Sequence, residues 1–299
     1  MQRVSLKFVH LDVFASSPYH GNSVAVVHDT CGLSREQMLV VTRELRHFET
    51  IFVRARRGDG TPPGETEVRV FDLFEELAFA GHPTLGAAVA LARDSTAETT
   101  TLTLRYRDKA VPVTVEPRRS GWHAVLDAGR PAPFVPLPAT ERAQVAAAFG
   151  LTPDDLCTDL PMEIGSTGLR YLVVPVAARL AEAAVHTDLT PMLERLGADF
   201  AYLVDVEAVE GRHWNNDGVV EDVATGSAAG VAGAYLVRHG RAAPGRPIEL
   251  SQGRFVGRPS RIRVTVDGSP DRPERVRVGG EVQVIATGHI VQLPDRAEA

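Results

Sequence analysis

The stretch "ELAFAGHPTLGAAVALAR" (Glu76–Arg93) decides how this chain is read. Gly-His-Pro stands at its mouth, and the segment behind it is apolar on every side of a helical projection. A helix apolar all round has to be buried. Gly86, Ala87 and Ala88 are small enough to let strand side chains close around it. Pro83 costs little there, because the N–H it lacks would have no helical partner that early in a helix. A second stretch, "EDVATGSAAGVAGAYLVR" (Glu221–Arg238), repeats the pattern with Ala229, Gly230 and Gly233. Gly81-His82 matches Gly226-Ser227 at an offset of 145 residues.

Working outward, most of the remaining chain reads as strands. "VSLKFVHLDVFA" is a strand, "PYHGN" breaks it, and "SVAVVHD" returns as the other arm of a hairpin. "LSREQMLVVTRELRH" is a helix, with Ser34 as N-cap and Gln37 completing a capping box. Leu33 and Met38 form its hydrophobic staple, and Met38, Val41 and Leu45 line one face. "FETIFVRAR" and "TEVRVFDLF" are strands around the polar loop "GDGTPPGE". "TTLTLRYRDKAVPVTVEPR" and "GWHAVLDA" are alternating strands. "ATERAQVAAAFG" and "LTPMLERLGA" are helices, "LRYLVVPV" and "FAYLVDVEA" strands, and the tail from "RPIELSQG" onward a run of strands. The expected fold is therefore α+β, with two pseudo-symmetric domains. Each is a β-barrel-like, mostly antiparallel sheet wrapped around a central apolar helix. "DAGRPAPFVPLPATE" carries four prolines in fifteen residues and marks a boundary. The expected domains are 1–128, joined by the last strand at about 287–299, and 129–286.

A chain of 299 residues that is 44% hydrophobic and 23% charged can build real cores. Its net charge of −6 argues against nucleic-acid binding, which needs clustered cations, and against a basic membrane-surface protein. Lys7 and Lys109 are the only lysines. Two cysteines, Cys31 and Cys157, make neither a disulfide framework nor a metal cluster. No apolar run approaches the ~20 residues that span a bilayer. The opening "MQRVSLKFVHLDVF" lacks a signal peptide's continuous apolar core, so a cytoplasmic location is expected. No P-loop, GxGxxG, HExxH or CxxC is present, and no metal site is expected.

A helix start presents unpaired N–H groups and about half a unit of positive charge. Glycine there lets an anion approach the backbone, so two such starts facing one cleft would grip a small carboxylate. The plainer alternative is a tight turn and a cap, with Ser227 as an ordinary N-cap. His82 lies where a neutral imidazole could transfer a proton, although a His beside a Pro is also a common surface or core residue. Asp222 precedes the second helix start and could equally cap a turn; Glu221 beside it is expected to be solvated. Glu49 is more unusual. Phe48, Ile51, Phe52 and Val53 surround it on both strand faces. A carboxylate buried there needs a partner or a raised pKa, and a buried acid suits proton transfer. An edge strand with Glu49 in water is the alternative. "GRHWNNDG" is read as a polar loop beside the site.

Five motifs stand in order from residue 12 to residue 262: "DVFASSPYHGNSVAVV", "FETIFV", "ELAFAGHPTLGAA", "EDVATGSAAG" and "GRFVGRPSRI". Together they resemble the PhzF-like proteins, named for the phenazine-biosynthesis isomerase and sharing the diaminopimelate-epimerase fold. The resemblance implies an active site in the cleft between two similar domains. It implies a cofactor-free isomerase, usually a homodimer, in which a Glu moves a proton between carbons of a dihydro-hydroxyanthranilate. Carried onto this sequence, the catalytic set is Glu49, His82 and Asp222, and the substrate-binding set is Asn22, Gly81, Thr225, Gly226 and Ser227. Diaminopimelate epimerase works with two cysteines at the helix starts. Cys31 and Cys157 are not there, which disfavours a thiol mechanism. Several neighbouring positions depart from the family: "FDLFEELAF" replaces an "FTPxxELPF" pattern, "GNS" replaces "GNP", and "EDVATGS" replaces "EDPATGS". "RHWNNDG" replaces a segment that usually holds a Phe and a Pro. The acid–base set is intact while the surrounding residues differ, so the substrate itself is left open.

The expected function is thus isomerisation of a small unsaturated or cyclic amino or carboxylic acid by acid–base proton transfer, in secondary-metabolite biosynthesis. The alternatives are epimerisation or racemisation of an amino or imino acid by Glu49 and Asp222, and a non-catalytic ligand-binding homologue.

Overall fold

A computed structural model describes residues 5–54 and 65–295. The expected loop "GDGTPPGE" lies almost wholly outside them, as does the end of the "FETIFVRAR" strand. The chain divides into two compact units, one running to Leu126 and resuming at Gly279, the other Asp127–Val278.

The first unit contains β1 (Leu6–Val13), β2 (Asn22–His28), α1 (Arg35–Leu45), β3 (Glu49–Arg54), β4 (Glu65–Asp72) and β5 (Glu76–Leu77). It continues with α2 (Gly81–Ala92), β6 (Thr100–Arg105), β7 (Ala110–Arg118) and β8 (Gly121–Gly129). The second contains β9 (Val135–Pro136), α3 (Arg142–Ala148), β10 (Glu163–Ser166), β11 (Arg170–Val176), α4 (Thr190–Leu196) and β12 (Phe200–Asp205). Then come β13 (Glu210–Arg212), α5 (Gly226–Arg238), β14 (Ile248–Gln252), β15 (Ser260–Ser269) and β16 (Arg272–Ile290). The short β5 and β10 escape a sequence reading, being too brief to show a period of two. The expected "ATERAQVAAAFG" helix is split, its first turn being the 3-10 segment Ala139–Glu141 ahead of α3.

In the first unit the strand order is β1-β2-β3-β4-β6-β7-β8, and β16 closes the sheet by pairing with both β8 and β1. Most pairs are antiparallel, but β2–β3 and β4–β6 are parallel. Parallel neighbours need a crossover. The first crossover carries α1 and the second carries α2. The second unit repeats this: β11–β12 and β13–β14 are the parallel pairs, their crossovers carrying α4 and α5. The resemblance between the two apolar helices thus reflects equivalent places in two copies of one topology.

Helix α2 is buried from His82 through Ala90, and α5 from Ala228 through Val237. Strands surround each on several sides, which is why neither helix has a polar face. Helix α1 lies on the outside of its barrel. Ser34 caps it with the full capping box, and Leu33, Met38 and Val41 pack with Leu6, Val27, Phe52 and Phe71. The second unit has a corresponding outer cluster in which Val145, Phe149, Leu193 and Trp214 meet Leu172, Val174 and Leu203. Strand β16 runs unbroken for nineteen residues, so it changes units at Gly279 rather than near residue 287.

Candidate functional site

Glu49 is the first residue of β3, which lies between β2 and β4. It is not on an edge strand, and its side chain is only 14% exposed. Its partner is His82, the second residue of α2: Nε2 lies 3.0 Å from Glu49 Oε2. The parallel β2–β3 register brings the start of β3 to the start of β2, so Asn22 is at the same barrel end as Glu49. Asn22 is buried opposite Val13. The loop leading to it turns through left-handed Phe14, Tyr19 and Gly21, and the Tyr19 N–H donates to Asp12 at 2.8 Å.

The start of α2 has Ala80 as N-cap and no side-chain cap among the described residues. A Cβ built on Gly81 would meet nothing within 4 Å. The turn is braced from behind instead. Thr84 Oγ1 donates to the Ala80 carbonyl at 2.6 Å, so at its 2.5 Å contact with Tyr106 the phenol must be the donor. Burial pushes the Tyr106 hydroxyl well above its ordinary range, and the nearby charge of Glu49 adds to this against the lowering effect of the Thr84 bond. Phe79 packs edge-on against Tyr106, and the Lys109 ammonium lies over the Phe79 ring, 3.3 Å from its centroid.

In the second unit Asp222, Thr225, Gly226 and Ser227 come together at the start of α5. Thr225 is the N-cap by position, with no side-chain cap bond among the described residues. Its hydroxyl donates to Asp222 Oδ2 at 2.5 Å. Ser227 is the second helical residue, not the N-cap; its Oγ lies 2.8 Å from Tyr171 Oη. Ser227 is therefore not the ordinary N-cap that the plainer alternative made of it. Gln252, at the end of β14, joins the group through Thr225 and the Asp222 carbonyl. His213 is buried with Nδ1 2.9 Å from the Ala201 carbonyl. Burial lowers its pKa, while the charge of Asp222 and the Ala201 bond pull the other way.

The expectation that Glu221 is solvated is wrong. Its side chain is 9% exposed and is held by Arg212 through bonds of 2.9 and 2.7 Å. The third guanidinium nitrogen donates to the carbonyls of Leu180, Ala181 and Ala183, and the ring faces of Trp214 and Phe255 flank the group. A carboxylate taken out of water needs such a fork. "GRHWNNDG" is accordingly the segment that clamps the loop bearing Asp222.

Cys31 lies in the loop before α1 and Cys157 before β10, away from both helix starts in sequence. Burial and neighbouring aspartates push both thiols up, which is the wrong direction for nucleophiles. Among the described residues no cluster of three metal-ligating side chains occurs, and no helix is long and apolar enough to cross a membrane.

Tyr106, Tyr171, Tyr202, Arg212 and Gln252 were not found by sequence reasoning. Only Gln252 carried a usable signal, since it stands immediately before the motif "GRFVGRPSRI".

A family model described as phenazine biosynthesis-like protein matches residues 11–288. The chain is 36% identical over 293 residues to the trans-2,3-dihydro-3-hydroxyanthranilate isomerase of Pseudomonas aeruginosa, covering 94% of this chain and 98% of that one. A solved structure of a predicted epimerase from Pseudomonas aeruginosa is 44% identical, with a TM-score of 0.87 over 96% of this chain and 99% of that one. A phenazine biosynthesis protein of the PhzF family from Bacillus anthracis, 24% identical, superposes with a TM-score of 0.81 over 97% and 100% of the two chains, which bears on the fold alone. With a match that spans nearly all its length and curated relatives named as isomerases, this chain is an enzyme of the isomerase class and belongs to the phenazine biosynthesis-like protein family.

Proposed function

We propose that the protein moves a proton between carbons of a small cyclic amino carboxylic acid, in the class of trans-2,3-dihydro-3-hydroxyanthranilate, within a secondary-metabolite pathway. The observation that carries this reading is the Glu49–His82 pair, a carboxylate and an imidazole 3.0 Å apart and both largely shielded from water. Glu49 takes a proton from a carbon acidified by the neighbouring unsaturation, its carboxyl exchanges that proton with solvent, and it delivers a proton to another carbon on the same face. The net composition of the substrate is unchanged. His82 orients Glu49 and adjusts its charge through the cycle. In the first unit Asn22 and the amides at 81–82 suit a substrate carboxylate and the charge that develops on it; in the second unit the amides at 226–227, with Thr225 and Ser227, offer a helix start of the same kind. A homodimer in the cytoplasm is part of the same reading, tested by light scattering of the purified protein.

The test is turnover of trans-2,3-dihydro-3-hydroxyanthranilate in heavy water. One solvent deuterium is expected at the carbon that gains the proton. Glu49→Gln is expected to fold but to lose about 10²–10⁴ of kcat. Full activity in that variant defeats the assignment. The relative that is 44% identical and named a predicted epimerase favours a second reading, inversion at an amino-acid Cα. It would show instead as exchange at Cα with racemisation and no shift of a double bond.

A further inference from the structure

Lys109 is one of two lysines in the chain, and the reaction proposed above gives it no part. It ends the turn between β6 and β7, which the Tyr106 N–H closes on the Lys109 carbonyl at 2.8 Å. Strand direction places that turn. Glu49 pairs with Asp72, so β4 ends at the Glu49 end of the barrel. Strand β6 is parallel to β4, with Arg105 opposite Glu67, so it runs toward the same end. The turn then packs on the segment that opens α2. Tyr106 reaches Thr84 in the first turns of the helix and meets the edge of Phe79. The Lys109 ammonium lies over the Phe79 ring, 3.3 Å from its centroid. Phe79 stands two residues before Gly81, the first residue of the helix.

The residue as a whole is exposed, but its ammonium is partly desolvated, and burial pulls its pKa below the usual lysine value. No carboxylate offsets this, since burial is the one cause of the shift. The acids on the neighbouring strands are already taken: Arg105 holds Glu65, and Arg69 holds Glu76. A ring face attracts a cation, but less strongly than a carboxylate does. We propose that Lys109 is a specificity-determining residue, whose ammonium receives the substrate carboxylate at the end of the first barrel, beside the amides of residues 81–82, and selects acids over their neutral analogues. This deepens the reading given above and rests on it. The four-carbon stem of a lysine is flexible, so the ammonium can swing from the ring to an anion at the helix start. There it supplies a full positive charge where the helix offers only a partial one.

The scarcity of lysine makes the test direct. Reductive methylation with carbon-13 formaldehyde keeps the charge of Lys7 and Lys109 and labels both for NMR. The Lys109 signal is the one missing from Lys109→Met. Anthranilate, an unreactive aromatic acid, is expected to shift that signal and leave Lys7 in place, while anthranilamide, its neutral analogue, shifts neither. On trans-2,3-dihydro-3-hydroxyanthranilate, Lys109→Met is expected to raise KM about tenfold with kcat nearly unchanged, and Lys109→Arg to recover most of the loss. The preference for anthranilate over anthranilamide as competitive inhibitors should fall by a similar factor in Lys109→Met. Methionine keeps an apolar stem against Phe79, so lost packing does not account for these changes. An unchanged KM and an unchanged inhibitor preference in Lys109→Met, with the parent turning the substrate over, overturn the role of Lys109 alone. A parent that neither turns over this substrate nor binds anthranilate sinks the reaction assigned to the site, and the role of Lys109 with it.

Discussion

At the scale of single residues, charge decides position. Glu49 is held by strand pairing on both sides, Ile51 meeting Val26 on one neighbour and Val70 on the other. Its side chain faces His82 Nε2 at 3.0 Å. His82→Ala is expected to lower kcat by about 10²-fold while leaving KM nearly unchanged, measured by steady-state kinetics. His213 gives a prediction about stability. Burial lowers its folded pKa below the ordinary 6.5, so the unfolded chain binds the extra proton as pH falls through that value. Stability from this group is therefore present above about pH 6.5 and lost below it, by up to about 1.4 kcal/mol per pH unit. Urea melts at pH 7.5 and 5.5 should show that loss, and His213→Gln should reduce it. Glu49, His82 and Asp222 were legible because each sits inside a contiguous motif. Arg212 was not, because its value depends on Glu221, the 3-10 segment at Leu180–Glu182 and two aromatic rings meeting around one guanidinium. Nothing in local sequence encodes such a convergence.

At the scale of elements, the two apolar helices were the most legible part of the fold, since lack of a polar face has only one explanation in a chain with no membrane-length segment. The sheet was less so. Alternation of apolar residues identifies strands but does not reveal that four of the pairings among the described residues are parallel. Two glycines of α2 test what each is there for. At Gly86 a Cβ would lie 2.6 Å from Cγ1 of Val24, a fully buried residue whose branched side chain has little freedom. Gly86→Ala gains up to about 1 kcal/mol of helix propensity but overpacks the barrel by about 1–3 kcal/mol. A net loss of stability is expected, read as a lower midpoint in thermal melts. At Gly81 the added methyl meets nothing. Gly81→Ala should melt no lower than the parent yet raise KM about tenfold, a loss of roughly 1.4 kcal/mol of carboxylate binding. Equal effects of both variants on melting would mean that Gly81 is structural.

At the scale of the whole molecule, the chain pays out one contiguous unit inside a discontinuous one. Residues 127–278 complete their own sheet, whereas the first barrel waits for β16. Until that strand arrives, β1 has β2 on one side and an unpaired edge on the other, along the full register Leu6–Val13. The late segment also brings apolar contacts: Val282 is fully buried, and Ile290 packs beside Leu6, Met38 and Phe52. An open row of N–H and C=O groups next to buried valines is costly in water and prone to pair with another chain. A protein ending at Val278 is therefore expected to lose the first barrel selectively. Amide hydrogen exchange should show β1, β2 and α2 unprotected while α5, β11 and β12 stay slow, and the truncated chain should bind a hydrophobic dye and aggregate. Uniform loss of protection in both units would show instead that they fold as a single cooperative body. Full protection of β1 would mean that the first barrel does not depend on the strand that closes it.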